Sequence, residues 1–185
     1  MNKRHLGILL TASASLLALA VVLADDGGER HGPADRALLP LATQQQHLYQ
    51  RECGGCHLAY PPALLPAASW TALMGRLADH FGDNADLDPD TARQIAALLV
   101  EHAADGAPGR YAARIRRSTL GQPAVLRITA TDYFLGKHHE IPAKMVRGNP
   151  EVSSFSRCEA CHRRAALGSF DEDEVRIPGY GRFDD

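Results

Sequence analysis

The sequence predicts a mainly α protein built of short helices joined by long loops. Apolar side chains recur at three- and four-residue spacing from Trp70 to Phe81 and again between residues 89 and 104, which is the pattern of helices with one buried face. Proline and glycine clusters, such as Pro61-Pro62 and residues 105–109, interrupt the chain and keep its helices short. Two Cys-x-x-Cys-His pentapeptides, at residues 53–57 and 158–162, hold all four cysteines.

The two pentapeptides indicate the cofactor. Cys-x-x-Cys-His is the attachment site of c-type haem, because two thiols one helical turn apart can add across the vinyl groups of the porphyrin. The histidine then lies under the iron as its first axial ligand. A dithiol redox pair or half of a zinc site would not need that histidine. We therefore predict two covalent haems, with short helices and long loops wrapped around them and a cytochrome c-like N-terminal half. The residues assigned to them are Cys53, Cys56 and His57 for the first haem and Cys158, Cys161 and His162 for the second.

The first 24 residues are organised like a secretory signal peptide. Lys3 and Arg4 precede an apolar run from Leu6 to Ala24, and small residues allow cleavage after Ala24. A retained membrane anchor is the alternative, because the 19 residues of this run are nearly enough to cross a bilayer. Cleavage would release a periplasmic protein whose formal net charge falls from −2 to −4, since Lys3 and Arg4 leave and no acidic residue does. This charge argues against nucleic acid as a partner.

The remainder is predicted to form two haem domains behind a tether. Residues 25–42 are polar and contain glycine and proline, as flexible terminal segments do. The glycine- and proline-rich cluster at residues 105–109 is the predicted boundary between a first haem domain, residues 43–109, and a second, residues 110–185.

Three helices are predicted in the first haem domain from residues that are typical of helix ends. Thr43 is the expected N-cap of a helix that runs through residues 44–52 into the first pentapeptide. Ser69 is expected to cap a helix from Trp70 to Phe81, which Gly82 ends. Asp88, with Pro89 in the first turn, opens the helix at residues 89–104.

His80 is the candidate second axial ligand for the first haem. It lies at the edge of the apolar stripe of its predicted helix, so it could face an iron against which the stripe packs. An ordinary core-edge histidine with a satisfied hydrogen bond is the alternative. Met74 and His102 remain competing ligands, because methionine and histidine are both common axial partners of haem iron.

The second half is less regular, and its candidate ligand is His138. Thr131 or Asp132 is expected to cap a short helix that ends before Pro142, with His138 on its apolar side. Neighbouring helix residues point about 100° apart, so only one of His138 and His139 can face a given iron. Met145 is the methionine alternative. A further helix is predicted to start near Ser154 or Ser156 and to run through the second pentapeptide to Gly168, followed by an acidic tail at residues 171–174.

Five stretches carry a resemblance to a known family. They are Glu52 to Pro62 with Leu64-Leu65-Pro66 and Ser69-Trp70, Asp79 to Ala85, Lys137 to Ile141, the second pentapeptide, and Gly168 to Asp173. Together, over roughly residues 47–178, they resemble the small di-haem cytochrome c family of bacterial periplasms. The resemblance implies two low-spin haems with a histidine on both sides of each iron, and His80 and His138 match the family's second ligands.

The resemblance also implies a soluble or loosely membrane-associated electron carrier, whose partners are an oxygen-binding monohaem cytochrome c or a membrane b-type cytochrome. Two histidines saturate an iron, so we expect outer-sphere electron transfer by a monomer and no catalysis. Local pairing, His57 with His80 and His162 with His138, is the simplest arrangement, and crossed pairing stays open. Two other functions are considered: an electron-entry subunit of a larger periplasmic reductase, and a haem enzyme or sensor with one labile distal ligand.

Overall fold

The computed structural model describes residues 43–183, where short helices dominate as predicted. The α-helices of this part of the chain are α1 (Gln44–Cys53), α2 (Ala67–Met74), α3 (Pro89–Glu101), α4 (Arg110–Thr119), α5 (Asp132–His138), α6 (Ala143–Val146) and α7 (Cys158–Cys161). Single turns of 3₁₀ helix lie between and after them, at Pro62–Leu64, Leu77–Asp79, Ile128–Ala130, Ala165–Leu167 and Glu172–Glu174. Strands β1 (Arg176–Ile177) and β2 (Gly181–Arg182) form an antiparallel hairpin in which Ile177 pairs with Gly181.

Two sequence predictions lie outside the described residues. These are the signal peptide, residues 1–24, and the tether, residues 25–42. Within residues 43–183, no helix has the length and apolar character needed to cross a bilayer.

Helices α1 and α3 begin where their end signals predict. The Thr43 hydroxyl accepts a hydrogen bond from the Gln46 N–H at 3.1 Å. The Asp88 carboxylate accepts from the N–H groups of Asp90 and Thr91 at 3.1 and 3.0 Å. Both side chains thereby satisfy backbone donors that have no partner inside the helix. Helix α3 ends at Glu101, three residues earlier than predicted.

The helix predicted from Trp70 to Phe81 is wrong in both its bounds. Helix α2 starts at Ala67, and Ser69 is a buried residue within it, not its cap. It ends at Met74, where Gly75 closes the last turn by donating to the Thr71 carbonyl at 3.1 Å. Glycine is among the weakest helix formers, so the apolar stripe continues past this point only as a 3₁₀ turn and a loop.

The second half departs further from the predictions. Helix α4 was not predicted, although it buries Tyr111, Ala112 and Ile115 at helical spacing. The predicted helix from Ser154 to Gly168 is wrong, because only Cys158–Cys161 is α-helical. The backbone leaves the helix at His162, which forms a bridge with Val175. The expectation of a Thr131 cap is confirmed, since its hydroxyl accepts from the Phe134 N–H at 3.2 Å.

Two apolar clusters hold these helices together. In the first, α3 packs against α1 and α2 through Tyr49, Leu65, Trp70, Leu73, Ile95, Leu98, Leu99 and Ala103. Burial of each such large side chain contributes about 1.5–3 kcal/mol. The second cluster joins Ala63, Leu64 and Ala104 to Tyr111, Ala112 and Ile115 of α4. The division into two haem domains at residue 109 stays a prediction.

Candidate haem-binding sites

The first attachment motif continues directly from α1. Cys53 is the last residue of the helix and is half-buried, whereas Cys56 is exposed in the turn that follows. Burial, then Glu52 and Cys56, raises the pKa of the Cys53 thiol to about 11. Gly54 closes α1 by donating to the Gln50 carbonyl at 2.9 Å. A Cβ at Gly54 would lie only 2.2 Å from that oxygen, so a side chain at this position would force the turn after α1 to shift.

His57 and His80 face each other across the first site. Their ring centroids are 6.2 Å apart and their planes are inclined by 19°. The Leu58 carbonyl lies 2.7 Å from Nδ1 of His57, which fixes the ring and leaves Nε2 available. The loop that carries His80 is closed by its own backbone, because His80 N–H donates to the Asp83 carbonyl at 2.8 Å.

The next residue, Phe81, shapes this loop. It has a left-handed backbone with φ of 60°, which is uncommon for a bulky side chain. The Arg127 guanidinium lies 3.9 Å from the centroid of the Phe81 ring, a separation suited to a cation–π contact. Phe81 in turn meets the His80 ring edge-on at 4.9 Å. These contacts link the position of the His80 ring to the segment before α5.

The environment of His80 differs from that of an ordinary core histidine. Its buried Nδ1 has no hydrogen-bond partner among the described residues, whereas a core histidine normally has one. Burial, and then the neighbouring His57, lowers the pKa of His80. The ring is therefore neutral at pH 7, which is the form that binds a metal.

The second attachment motif forms α7, and His162 follows it. Helix α5 presents His138, whose Nδ1 lies 2.9 Å from the Phe134 carbonyl. The ring centroids of His138 and His162 are 6.2 Å apart, and their planes are inclined by 69°. Burial, and then His138, lowers the pKa of His162 to about 4. Its buried Nδ1, like that of His80, has no partner among the described residues.

An apolar cleft surrounds this second pair of histidines. It is lined by side chains from α4, α5, α7, the C-terminal hairpin and the loops on either side of α7, among them Tyr111, Ile115, Phe134, Val152, Phe155, Phe170 and Ile177. Phe134 stacks on the His138 ring at 3.9 Å, and Phe155 meets it edge-on at 5.8 Å. Cys158 and Cys161 open into the same cleft, and burial raises the pKa of the Cys158 thiol to about 12. The cleft thus combines two attachment thiols with an apolar wall.

Both histidine pairs fit a haem iron between their rings. An iron bound by two imidazoles holds their centroids about 6 Å apart, because each metal–nitrogen bond is about 2 Å long and each nitrogen lies about 1 Å from its ring centroid. The observed separation is 6.2 Å in both pairs. The structure thus brings together His57 with His80 and His138 with His162, each beside its own pair of cysteines.

The competing ligand candidates lie elsewhere. Met74 packs against the first apolar cluster, and His102 caps the C-terminus of α3. His139 is exposed, with Nδ1 2.8 Å from the Gly136 carbonyl. Met145 lies in α6 and is not among the residues that line the second cleft.

Sequence reasoning missed several aromatic residues of these sites. Tyr60 stacks on His57 at 4.8 Å, and Phe170 lies 5.3 Å from the His162 ring. Phe155 packs on His138. Each lies within eight residues of a pentapeptide, so proximity along the chain was the available signal.

The fold and the paired thiols with adjacent histidines define a c-type haem protein with two attachment sites. Residues 49–170 match the family described as dihaem cytochrome c, and the chain belongs to this family. It therefore carries two covalent c-type haems, attached at Cys53 and Cys56 and at Cys158 and Cys161.

Solved structures support the same assignment. The chain is 45% identical to the diheme cytochrome c from Shewanella baltica OS155, with a TM-score of 0.63 over 77% of this chain and 100% of that one. It is 40% identical to a diheme cytochrome c from Rhodobacter sphaeroides, with a TM-score of 0.63 over 72% and 100% of the two chains. A second Rhodobacter sphaeroides structure, described as DHC, is 38% identical, with a TM-score of 0.56 over 71% and 99%. No curated protein sequence matches the chain significantly.

Proposed function

We propose that the protein is a periplasmic electron carrier in which each haem iron is bound by two histidines. His57 and His80 hold the first iron, and His162 and His138 hold the second. The observation that carries this proposal is the separation of 6.2 Å between the ring centroids of both pairs. Electron transfer is also the role that the family resemblance implies.

When bound, the haems supply one-electron exchange at their irons. The four histidines would restrict the irons to electron transfer. A ring on each face leaves no position at which oxygen, peroxide or another substrate could bind, so the site cannot perform bond chemistry without losing a ligand. Phe134 and Phe155 pack on the His138 ring and hold it in place, which favours a carrier over an enzyme with a labile ligand.

The proposed location rests on the first residues of the chain, and the proposed partners are those that the family resemblance implies. A signal peptide cleaved after Ala24 would deliver a monomer of net charge −4 to the periplasm, where the protein could associate loosely with the membrane. We propose a monohaem cytochrome c and a membrane b-type cytochrome as its redox partners. Such encounters are brief and bury small interfaces.

The test is low-temperature electron paramagnetic resonance of the oxidised, haem-loaded protein. His80→Ala and His138→Ala should each convert one of the two haems from low spin to high spin. His102→Ala and His139→Ala are matched controls, because these residues are the competing histidine candidates, and both should leave two low-spin haems.

Three results would contradict the proposal in different ways. A high-spin haem in the unaltered protein would favour an enzyme or sensor with an open site. A methionine-to-iron charge-transfer band in the near infrared would exclude histidine as the second ligand of that haem. Stable co-purification with a large periplasmic subunit would favour an electron-entry subunit over a free carrier.

A further inference from the structure

Tyr60 lies between the two haem sites and contacts both. Its ring stacks on His57, with centroids 4.8 Å apart and planes inclined by 22°. Its hydroxyl donates a hydrogen bond to the Ser156 carbonyl at 2.7 Å, across 96 residues of chain. Ser156 lies two residues before Cys158. One side chain thus connects a histidine of the first site to the segment that enters the second attachment motif.

The backbone of Tyr60 is itself held in place. Its carbonyl accepts a hydrogen bond from the Tyr49 hydroxyl at 2.8 Å, and Tyr49 is a buried residue of α1. Pro61 and Pro62 follow directly, and their rings restrict the chain on that side. Tyr60 is therefore anchored to the same helix that ends at Cys53.

The surroundings of Tyr60 also belong to both halves of the chain. It packs against the first apolar cluster and against the second one. A tyrosine hydroxyl is protonated at neutral pH, so it can act as the donor to the Ser156 carbonyl.

We propose that Tyr60 is a positioning residue that sets the orientation of the His57 ring and fixes the entry to the second attachment motif. The two functions use different parts of the side chain: the ring stacks on His57, and the hydroxyl binds Ser156. The first rests on the proposed role of His57 as an iron ligand, whereas the second does not. The two parts can be separated by substitution.

The experiment compares Tyr60→Phe with Tyr60→Leu in the haem-loaded protein. Tyr60→Phe keeps the ring and removes the hydrogen bond. Amide hydrogen exchange of residues 157–162 should therefore become roughly two- to tenfold faster, as expected for one lost hydrogen bond. The low-spin resonance of both haems should stay unchanged. Tyr60→Leu should give the same faster exchange and should also shift the g-values of the first haem alone. Tyr180→Phe, at an exposed tyrosine, is the matched control and should alter neither measurement.

Each outcome bears on a separate claim. Unchanged exchange at residues 157–162 in Tyr60→Phe would overturn the link to the second motif. Unchanged g-values of the first haem in Tyr60→Leu would overturn the positioning of His57. If the unaltered protein had a high-spin first haem, the proposed ligand set would fail, but the exchange result would still decide the link through Ser156. If Tyr60→Leu failed to fold, Tyr60→Met, which also lacks the aromatic ring, would test the positioning of His57 in its place, and Tyr60→Phe would still test the link through Ser156.

Discussion

The imidazole of His57 is nearly parallel to that of His80, whereas His138 and His162 are strongly inclined at the same separation. The planes differ by 19° in the first pair and by 69° in the second, and both pairs have centroids 6.2 Å apart. The loop around Phe81 orients the first pair, and the stacked Phe134 orients the second. The two histidine pairs therefore share one ring separation but differ in the inclination of their planes.

This difference predicts two distinct low-spin resonances. Parallel imidazole planes interact with the same iron d orbital and split it from its partner, whereas inclined planes leave the two orbitals nearly equal in energy. We expect a rhombic signal from the His57–His80 haem and a more anisotropic signal from the His138–His162 haem in the oxidised protein. Electron paramagnetic resonance at low temperature measures both. Two signals of one type would contradict the observed ring orientations.

Gly54→Ala should weaken the first attachment site. The new Cβ would lie 2.2 Å from the Gln50 carbonyl oxygen, so the turn after α1 must shift, and strain of this kind costs about 1–3 kcal/mol. We expect a lower free energy of unfolding, measured with denaturant, and less haem at Cys53 and Cys56. Gly55→Ala is the control, because the nearest atom to its Cβ, the Arg51 carbonyl oxygen, is 3.8 Å away. Equal losses in the two variants would contradict the steric explanation.

Loss of the second haem should disturb the fold more than loss of the first. The cleft around Cys158 and Cys161 is walled by apolar side chains, which the second haem would cover. The first half instead has a protein-only cluster around Trp70. We expect Cys158→Ala/Cys161→Ala to lose more helical circular dichroism and cooperativity than Cys53→Ala/Cys56→Ala. The opposite order would show that the first haem is the main support.

Because Asp88 caps α3, the stability of the protein towards urea should depend on pH in the acid range. Hydrogen bonds from Thr91 and Asp90 lower the pKa of Asp88 below its ordinary value of 3.8. Its carboxylate therefore stabilises the fold at and above that pH, and the contribution is lost as the pH falls through the lower, folded-state pKa. Asp88→Asn keeps a neutral capping group, so the urea midpoint of the wild-type protein should exceed that of the variant near neutral pH. This difference should shrink below pH 3.8.

Asp88→Ala separates the cap from its charge. This variant removes the acceptor at every pH, so its urea midpoint should lie below that of Asp88→Asn throughout. A gap between wild type and Asp88→Asn that persists unchanged into strong acid would contradict the assignment of the pH dependence to this carboxylate.

The sequence is a better guide to which residues lie close together than to the helices and loops in which they lie. His80 was assigned from an apolar stripe on a helix that in fact ends at Met74. The periodicity shows which side chains face inward, but it cannot show that Gly75 ends the helix and that Phe81 turns the chain with a left-handed backbone. The structure therefore places His80 opposite His57, although the helix predicted to carry it is wrong.

Two further features could not be predicted from the sequence: helix α4 and the distances between the histidine rings. Tyr111 and Ile115 have helical spacing, but a single apolar pair among several arginines is too short a pattern to predict a helix. The pairing of His138 with His162 brings together residues from separate helices. Spacing along the chain cannot measure the distance between them, because it depends on how α5 and α7 pack. The contacts of Tyr60 with His57 and Ser156 could not be predicted from the sequence for the same reason.

The proposed pairing of the histidines would close the chain at two places. With each iron held from both sides, one crosslink, covalent at the cysteines and coordinate at the histidine, would join the first motif to His80, and another would join His138 to the second motif. Each closes a segment of some two dozen residues, and a crosslink of that span removes roughly 3 kcal/mol of conformational freedom from the unfolded chain. The two closed segments follow one another without interlocking, so opening one leaves the other shut.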